Sequence, residues 1–270
     1  MFTIPVKLVY EKGKEKYRVE DKLKYRYEYP RPALTADCVI FGFDGKSLRI
    51  LLIERGVEPY RGSWALPGGF MRMDETIDEC AHRELREETG IEDIYLEQCH
   101  VFSSVARDPR GRVVTVAFIA LVRPSDYKVI GGDDASRAEW FDFSSLPPLA
   151  FDHREIVDFA RNYLKEILRL RPIAFRLLDE MFTIDELRRV YEVINDTRYD
   201  RRNFERKAMQ SDMIAEIPEN EMDSIYSPSN TSTLRRGRPP RFFKSIFRSK
   251  KSEGVEDASE DASIKDLFDF

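Results

Sequence analysis

Short apolar runs alternate with turn residues in the first half of the chain, a pattern typical of a sheet. Residues 35–43 and 48–55 form two strand-like runs on either side of Asp44 and Gly45, a dipeptide that favours a tight hairpin turn. The segment SWALPGGF, residues 63–70, has no such alternation and is predicted to form a loop. Further strands are predicted within residues 93–106, 112–122 and 138–143.

Two segments of the same region have helical spacing. Residues 76–89 predict a helix, and Gly90 follows at the position where a left-handed backbone ends a helix. A second helix is predicted over residues 152–168, whose apolar side chains form a stripe at helical intervals. The stripe consists of Ile156, Val157, Phe159, Ala160, Tyr163, Leu164 and Ile167.

A second unit begins after Pro172 and has a different order of elements. Thr183 and Glu186 have the spacing of a capping box, and apolar positions follow at helical intervals. Asp200 is expected to cap the next helix. Residues 201–209, 212–217, 218–233 and 237–243 are predicted to form a basic helix, a strand, a loop and a returning strand. This order is that of a winged helix-turn-helix.

These patterns divide the chain into four parts. Residues 1–32 are an N-terminal extension, 33–171 a first domain, 172–243 a winged helix-turn-helix domain, and 244–270 a basic-then-acidic tail predicted to be disordered.

Charge is unevenly distributed along the 270 residues, whose formal net charge is −5. Residues 253–270 carry seven acidic residues against one lysine, so the first 252 residues have a net charge of about +1. Three cysteines without a C-x-x-C pair indicate neither a disulfide framework nor a zinc site. Because no apolar run reaches the length of a membrane helix, a cytoplasmic protein is expected.

The helix predicted over 76–89 carries unusual acidic residues. Glu84 and Glu88 project into the same sector as the apolar stripe of the helix, and Glu87 lies at its edge. A carboxylate turned towards a core is costly unless something compensates its charge, and a hard divalent cation such as Mg²⁺ would do so. A solvated acidic face suits Glu75, Asp78 and Glu79 better.

The spacing around these glutamates matches the Nudix box, G-x5-E-x7-R-E-U-x-E-E-x-G-U, at every defined position, from Gly69 to Ile91. Residues 33–168 therefore resemble the Nudix hydrolases. The resemblance implies an α/β fold, an α/β/α sandwich with a mixed sheet. It also implies a site for Mg²⁺ or Mn²⁺ in which Arg83 orients the glutamates and Glu75 ties the loop to the helix. The implied ligands are the Gly68 carbonyl and the carboxylates of Glu84, Glu87 and Glu88.

The chemistry implied by this resemblance is hydrolysis of a diphosphate linked to a nucleoside, with Arg83, Glu84 and Glu88 as catalytic residues. A metal-bound water attacks phosphorus and a carboxylate takes its proton. Members of the family use either a box glutamate or an acid on a downstream loop for this step. Asp133, Asp134 and Glu139 are candidates for the second role, and ordinary surface or strand-edge acids are the alternative interpretation.

Residues 103–121 resemble the stretch that follows the box in ADP-ribose pyrophosphatases. Arg107 and Arg112 are therefore candidate substrate-binding residues, because guanidinium groups match phosphate oxygens bidentately. The alternative is that DPRG, residues 108–111, is only a hairpin turn.

Basic residues concentrate on the second predicted helix of the C-terminal unit and around its wing. The candidate DNA-binding residues are Arg201, Arg202, Arg206, Lys207, Arg236 and Arg238. Such a helix reads a major groove while the wing contacts phosphate. Residues 33–243 resemble the NrtR-type transcriptional regulators, a resemblance that implies a homodimer and double-stranded DNA as a partner.

Two functions follow from these resemblances. One is a Mg²⁺-dependent pyrophosphatase acting on ADP-ribose or a related nucleoside diphosphate. The other is a DNA-binding regulator whose Nudix domain senses such a compound with little or no turnover. The complete box favours hydrolysis, since the regulators often have an eroded box, whereas the basic helix and wing favour regulation.

Two further interpretations concern the Nudix domain and the acidic tail. A Nudix domain acting only as a dimerisation scaffold is a third alternative for the protein. The acidic tail is expected either to solubilise the chain or to fold back on the basic residues 234–251 and weaken DNA contacts.

Overall fold

The computed structural model of the chain describes residues 29–129, 135–211, 213–218 and 241–246. Several predictions lie outside these residues. They concern the N-terminal extension before residue 29, the acids Asp133 and Asp134, the wing arginines Arg236 and Arg238, and the tail beyond residue 246.

A mixed seven-stranded sheet forms the centre of the first unit. Its strands are β1 (Ala33–Phe43), β2 (Leu48–Arg55), β3 (Trp64–Ala65), β4 (Gly68–Phe70), β5 (Glu97–Phe102), β6 (Val113–Val122) and β7 (Ala135–Asp142). Five follow the order β3-β2-β1-β6-β5, while β4 pairs with β1 and β7 pairs with β2. Only the β1–β6 pair among these described strands is parallel. The mixed sheet predicted from the Nudix resemblance is therefore confirmed.

Strands β3 and β4 correct one prediction. Residues 63–70 were expected to form a loop, but Gly68–Phe70 pairs with Thr35–Asp37 of β1. These strands are too short to show the alternation by which longer strands are recognised. The pairing matters because it fixes the backbone that precedes the acidic helix.

Helices cover both faces of the sheet. Helix α1 (Ile77–Thr89) packs on one face through Ala81 and Leu85, against β1 and β6 residues such as Phe118. Helix α2 (His153–Leu170) packs on the other face. The α/β/α sandwich follows directly from this arrangement.

The ends of helix α1 follow its sequence signals. Thr76 caps the N-terminus, where its side chain accepts from the Glu79 N–H and the Glu79 side chain accepts from the Thr76 N–H. Gly90 closes the C-terminus with a φ of 74°, a left-handed conformation that glycine adopts without steric cost. The glycine signal depends only on neighbouring residues, which explains why the sequence predicted where the helix ends.

The C-terminal unit has the predicted winged-helix order. After a 3-10 turn at Ile173–Leu177 come α3 (Ile184–Asn195), α4 (Arg201–Gln210), β8 (Ile214–Glu216) and β9 (Phe243–Ser245). The capping box of Thr183 and Glu186 and the Asp200 cap are both present. Strand β9 includes Lys244 and Ser245, so the prediction of disorder from residue 244 is wrong at these two positions.

The two units share one apolar core. Side chains of β1, β2 and α2, including Phe41 and Leu164, belong to the same buried cluster as Tyr191 of α3, Phe204 of α4 and Phe243 of β9. Tyr191, Phe41 and Phe204 are each at most 1% exposed. The winged helix is therefore packed directly onto the sheet and α2. No helix of the described residues is long and apolar enough to cross a membrane.

Candidate active site and nucleic-acid interface

Arg83 is the centre of the acidic cluster on helix α1. Its Nε and Nη2 atoms donate to the two carboxylate oxygens of Glu75 at 2.8 and 2.6 Å, and Nη1 donates to Glu84 at 2.6 Å and Glu87 at 3.0 Å. Nη2 also donates to the Phe70 carbonyl at 3.1 Å. One guanidinium therefore joins β4, the loop and the helix.

Glu75, which precedes the N-cap of α1, is not part of a solvated acidic face, contrary to the interpretation made from the sequence. Its side chain is 11% exposed, and bonds from Arg83 lower the pKa of Glu75 to about 2. It also accepts from the Arg72 N–H at 2.7 Å. This geometry is the tie between loop and helix that the family resemblance implied.

Glu84 is a desolvated carboxylate of this cluster, with a side chain that is 15% exposed. Burial raises the pKa of Glu84 above its ordinary value, although Arg83 acts in the opposite direction. The carboxylate lies against Gly69, where an added Cβ would be 2.5 Å from Oε1 of Glu84. Glycine is therefore required at this position, because any side chain would displace the carboxylate.

The other two predicted ligands lie on the same helix. Glu88 is 6% exposed and accepts from the Gly68 N–H at 2.8 Å. Glu87 is more open, with 26% of its side chain exposed, and pairs with Arg72 at 3.5 Å as well as with Arg83. Among the described residues no three acidic, His or Cys side chains are arranged to hold a metal ion, because these carboxylates are directed to Arg83 or the backbone.

The donor set nonetheless fits a hard divalent cation. The three glutamates supply only oxygen atoms, which is the ligand type that Mg²⁺ takes in proteins. The raised pKa of Glu84 indicates that Arg83 does not fully compensate the buried negative charge. A cation bound between these carboxylates would compensate that charge.

Arg107 lies in a buried ion-pair network. Its side chain is 4% exposed, donates to Asp152 at 2.7 and 2.8 Å, and donates to Asp37 at 3.2 Å. Burial alone would lower the pKa of Arg107, but the two carboxylates raise it. A substrate phosphate would have to displace Asp152 to reach this guanidinium, so the geometry favours a structural role over the predicted substrate contact.

His153, which had no partner at ligand spacing in the sequence, also belongs to this network. Its Nδ1 atom accepts from the Leu66 N–H at 2.9 Å, and its Nε2 atom lies 3.7 Å from Asp37. Burial lowers the pKa of His153, although the acids around it favour the charged form. The imidazole therefore fixes the loop that leads into β4.

Arg112 and Arg110 are exposed arginines in the loop between β5 and β6, which also contains Arg107. Arg112 is exposed and donates to the carbonyls of Ser104 and Val113 at 3.3 Å. The guanidinium of Arg110 lies 4.7 Å from the centre of the Phe70 ring and is held by Asp108 at 2.6 Å. Sequence reasoning missed Arg110, since only the fold brings Phe70 beside it.

Glu139, a candidate proton acceptor, lies away from the box. Its neighbour Trp140 packs in the cluster beneath α1, so Glu139 points to the opposite face of β7. There it pairs with Arg137 at 3.0 Å and is 47% exposed. The structure agrees with the alternative interpretation of an ordinary strand acid.

Helix α4 presents most of its predicted DNA-binding side chains to solvent. Arg201, Arg202 and Arg206 are exposed and Lys207 is half-buried. Arg201 pairs with Asp185 at 2.9 Å and Arg206 donates to Asn203 at 2.6 Å. Phe204 and Ala208 lie on the buried side of the helix, so the basic residues occupy its free face.

A buried glutamate fixes the turn between α3 and α4. Glu192 has a side-chain exposure of 2%, accepts from the Tyr199 N–H at 3.1 Å and pairs with Arg188 at 2.6 Å and Arg198 at 3.2 Å. The burial that would raise the pKa of Glu192 is outweighed by these donors, which lower it. This carboxylate therefore holds the turn that joins α3 to α4, beside the apolar contact of Tyr191 with Phe204.

The sandwich, the box geometry and the appended winged helix define a two-domain Nudix protein. The family model of the NUDIX domain matches residues 31–159, and that of the NrtR DNA-binding winged helix domain matches residues 174–231. The chain belongs to the Nudix family, in the group that carries an NrtR-type winged helix after the Nudix domain. The resemblance inferred from the box and the basic helix is confirmed.

Three known proteins illustrate this membership. The chain is 35% identical over 199 residues to the ADPR responsive transcriptional repressor NtrR of Acinetobacter baylyi, covering 72% of this chain and 79% of that protein. It is 43% identical over 153 residues to the ADP-ribose pyrophosphatase of Methanocaldococcus jannaschii, covering 57% of this chain and 85% of that protein. The crystal structure of Shewanella oneidensis NrtR complexed with a 27mer DNA is 28% identical, with a TM-score of 0.61 over 78% of this chain and 93% of that one.

Proposed function

We propose that the protein is a Mg²⁺-dependent Nudix hydrolase that cleaves the diphosphate of ADP-ribose, or of a related nucleoside diphosphate, to AMP and ribose 5-phosphate. The observation that carries this proposal is the complete acidic cluster: Glu84 and Glu87 accept from Arg83, Glu88 on the same helix accepts from the Gly68 N–H, and burial desolvates Glu84. Binding of a sugar nucleotide alone does not require all three carboxylates. The similarity to an ADP-ribose pyrophosphatase supports the substrate class.

Glu84, Glu87, Glu88 and the Gly68 carbonyl would hold the cation in this proposal. When bound, it would neutralise phosphate oxygens and lower the pKa of a water molecule. Arg83 keeps the carboxylates at the end of the helix, and Glu75 keeps Arg83 in place. A box glutamate is better placed than Glu139 to accept the proton, because Glu139 lies on the other face of β7.

The experiment measures release of AMP and ribose 5-phosphate from ADP-ribose with Mg²⁺. The Glu88→Gln variant keeps an acceptor for the Gly68 N–H but removes the charge, and turnover is expected to fall by about 100-fold or more. Glu92→Gln, an exposed change of the same kind on the segment after α1, is the matched control and keeps full activity. Equal turnover by the Glu88→Gln variant would contradict the proposal.

A second function is favoured by the winged helix. We propose that the chain, as a homodimer, binds double-stranded DNA through Arg201, Arg202, Arg206 and Lys207 of α4, with Arg236 and Arg238 of the wing on phosphate. The similarity to a repressor responsive to ADPR extends over 72% of the chain. In the alternative regulator, the Nudix domain senses ADP-ribose with little turnover.

Two measurements separate these functions. Tight binding of ADP-ribose without hydrolysis would make the protein a sensor. DNA from the promoter region of its own gene should bind with an affinity that falls steeply as salt rises, and the Arg202→Ala variant should have a shallower salt dependence. Sedimentation of the intact chain measures whether it is a dimer.

A further inference from the structure

Four side chains form a column of alternating guanidinium groups and aromatic rings beside the box. The Arg55 guanidinium lies 4.9 Å from the centre of the Phe151 ring, Arg110 lies 5.3 Å from the same ring, and Arg110 lies 4.7 Å from the Phe70 ring. We call Arg55, Phe151, Arg110 and Phe70 the stacked column. Planar groups arranged in this way offer flat, polarisable faces.

The column begins at the acidic cluster. The Phe70 carbonyl accepts a hydrogen bond from Arg83 at 3.1 Å, while the Phe70 ring contacts Arg110. Arg110 is fixed by Asp108, whose side chain is 3% exposed, and Arg55 is fixed by donation to the Pro59 carbonyl at 2.9 Å. The column therefore leads from the proposed reaction centre to the loop between β2 and β3.

Tyr60 adds an open ring at the far end. Its ring meets the Phe151 ring edge-to-face with centroids 4.8 Å apart, and 44% of Tyr60 is exposed. The exposed part of this ring offers a flat surface on which a planar ligand can stack. The rest of the loop keeps Tyr60 in this position, since the Gly62 N–H donates to the Arg55 carbonyl.

The backbone at this pair is strained. Among the described residues, four that are not glycine have positive φ, and two of these are Tyr60 (64°) and Phe151 (54°), which contact each other. The other two are aspartates, Asp93 and Asp196, which tolerate this conformation better than bulky residues do. Strain held at two touching aromatic residues is typical of ligand-binding sites.

We propose that Tyr60, together with the stacked column, forms the nucleobase subsite of the protein. This assignment rests on the proposed function. It adds a binding site for the base, the part of the substrate that takes no part in cleavage of the diphosphate. The planar base stacks on the exposed Tyr60 ring, which Phe151 supports from its edge, while the diphosphate lies towards Arg83 and the glutamates. Purines have the larger ring surface and are bound more tightly than pyrimidines at such a site.

The test uses a variant that separates packing from binding. Asparagine accepts positive φ and lacks a ring, so Tyr60→Asn is expected to keep or raise the thermal stability. The same change should weaken AMP binding, measured by calorimetry without metal, by about 10-fold to 100-fold. Tyr60→Phe keeps the ring and should bind AMP as the unmodified protein does, and Val57→Ala in the same loop serves as the neutral control.

Inorganic pyrophosphate, which has no base, is the second probe. Its affinity with Mg²⁺ should be the same for all four proteins. AMP affinity that is unchanged in Tyr60→Asn, or absent in the unmodified protein, would overturn the subsite. So would a loss of pyrophosphate affinity that equals the loss of AMP affinity.

The outcome also distinguishes this subsite from the proposed hydrolysis. AMP binding that depends on Tyr60, in a protein that does not cleave ADP-ribose, leaves the subsite standing and removes the hydrolase. If Tyr60→Asn instead cleaves ADP-ribose with the same KM as the unmodified protein, the hydrolase stands and the subsite is removed. If both hold, Tyr60→Asn raises KM for ADP-ribose with a much smaller effect on kcat.

Discussion

The Arg107 guanidinium donates two hydrogen bonds to the Asp152 carboxylate, at 2.7 and 2.8 Å, across 45 positions of the chain. Asp152 is the residue before helix α2, and Asp37 of β1 is the second carboxylate on the same guanidinium. One buried arginine therefore fastens the loop after β5 to the central strand and to the start of a helix.

Replacing this arginine is expected to destabilise the fold. Arg107→Met leaves two carboxylates in a buried position without their cation, and breaking such a pair costs about 3–5 kcal/mol. Urea unfolding of the variant measures the loss of free energy. Arg112→Ala on the same loop, where the side chain is exposed, should change stability by less than about 0.5 kcal/mol. A loss of equal size in the two variants would refute the structural role of Arg107.

Removing the Glu75 charge should make the stability of the protein less sensitive to a fall in pH. The pKa of Glu75 in the folded protein is about 2 against an ordinary value of 4.5, so its stabilisation is complete above pH 4.5 and is lost as the pH falls towards 2. At neutral pH, Glu75→Gln should lower stability by roughly 1.5–3 kcal/mol. The difference from the unmodified protein should shrink between pH 4.5 and 3. A constant difference across that range would contradict the assignment.

His153 should make the stability of the protein depend on pH near neutrality. Because the pKa of His153 is lowered in the folded protein, the unfolded chain binds a proton first as the pH falls below about 6.5, and stability decreases there. The charged groups that face it are Asp37 and Asp152, which favour its protonation, and Arg107 and Arg55, which oppose it.

The measurement for His153 compares urea midpoints at pH 7.5 and 5.5. His153→Gln retains an acceptor for the Leu66 N–H and should show a smaller loss between the two pH values than the unmodified protein. His82→Gln, at an exposed position of α1, should not change the loss. The prediction fails if the two variants behave alike.

Glu192 is expected to control both the stability and the DNA affinity of the winged helix. Glu192→Ala leaves the Tyr199 N–H without its acceptor and the nearby arginines without their shared carboxylate, a loss of about 2–4 kcal/mol. DNA affinity should fall even though a negative charge has been removed, because α4 loses its fixed orientation. Glu180→Gln, an exposed acid before α3, is the control, and stronger DNA binding by Glu192→Ala would show that charge outweighs orientation.

Local signals account for the parts of the fold that the sequence predicted. The capping box at Thr183, the glycine after α1 and the helical spacing of the glutamates all act within a few residues. The partners of Arg107 lie 45 and 70 positions away, and Phe70 meets Arg110 only after the sheet has formed. Such contacts depend on strand register, which no local pattern contains. The sequence therefore pointed to Arg107, which the fold buries, and gave no sign of Arg110, which the fold exposes beside Phe70.

The core shared by the sheet, α2 and the winged helix has a consequence for signalling. Because Tyr191 and Phe204 pack in the same buried cluster as Phe41 and Leu164, helix α4 has no free linker on which to swing. A ligand at the Nudix domain that alters DNA binding must slide packed side chains past one another, a shear movement of small amplitude. If the winged helix were exchanged for that of a relative, its side of the shared core would be exchanged with it. The apolar residues on the two sides of this core must therefore change together to remain packed.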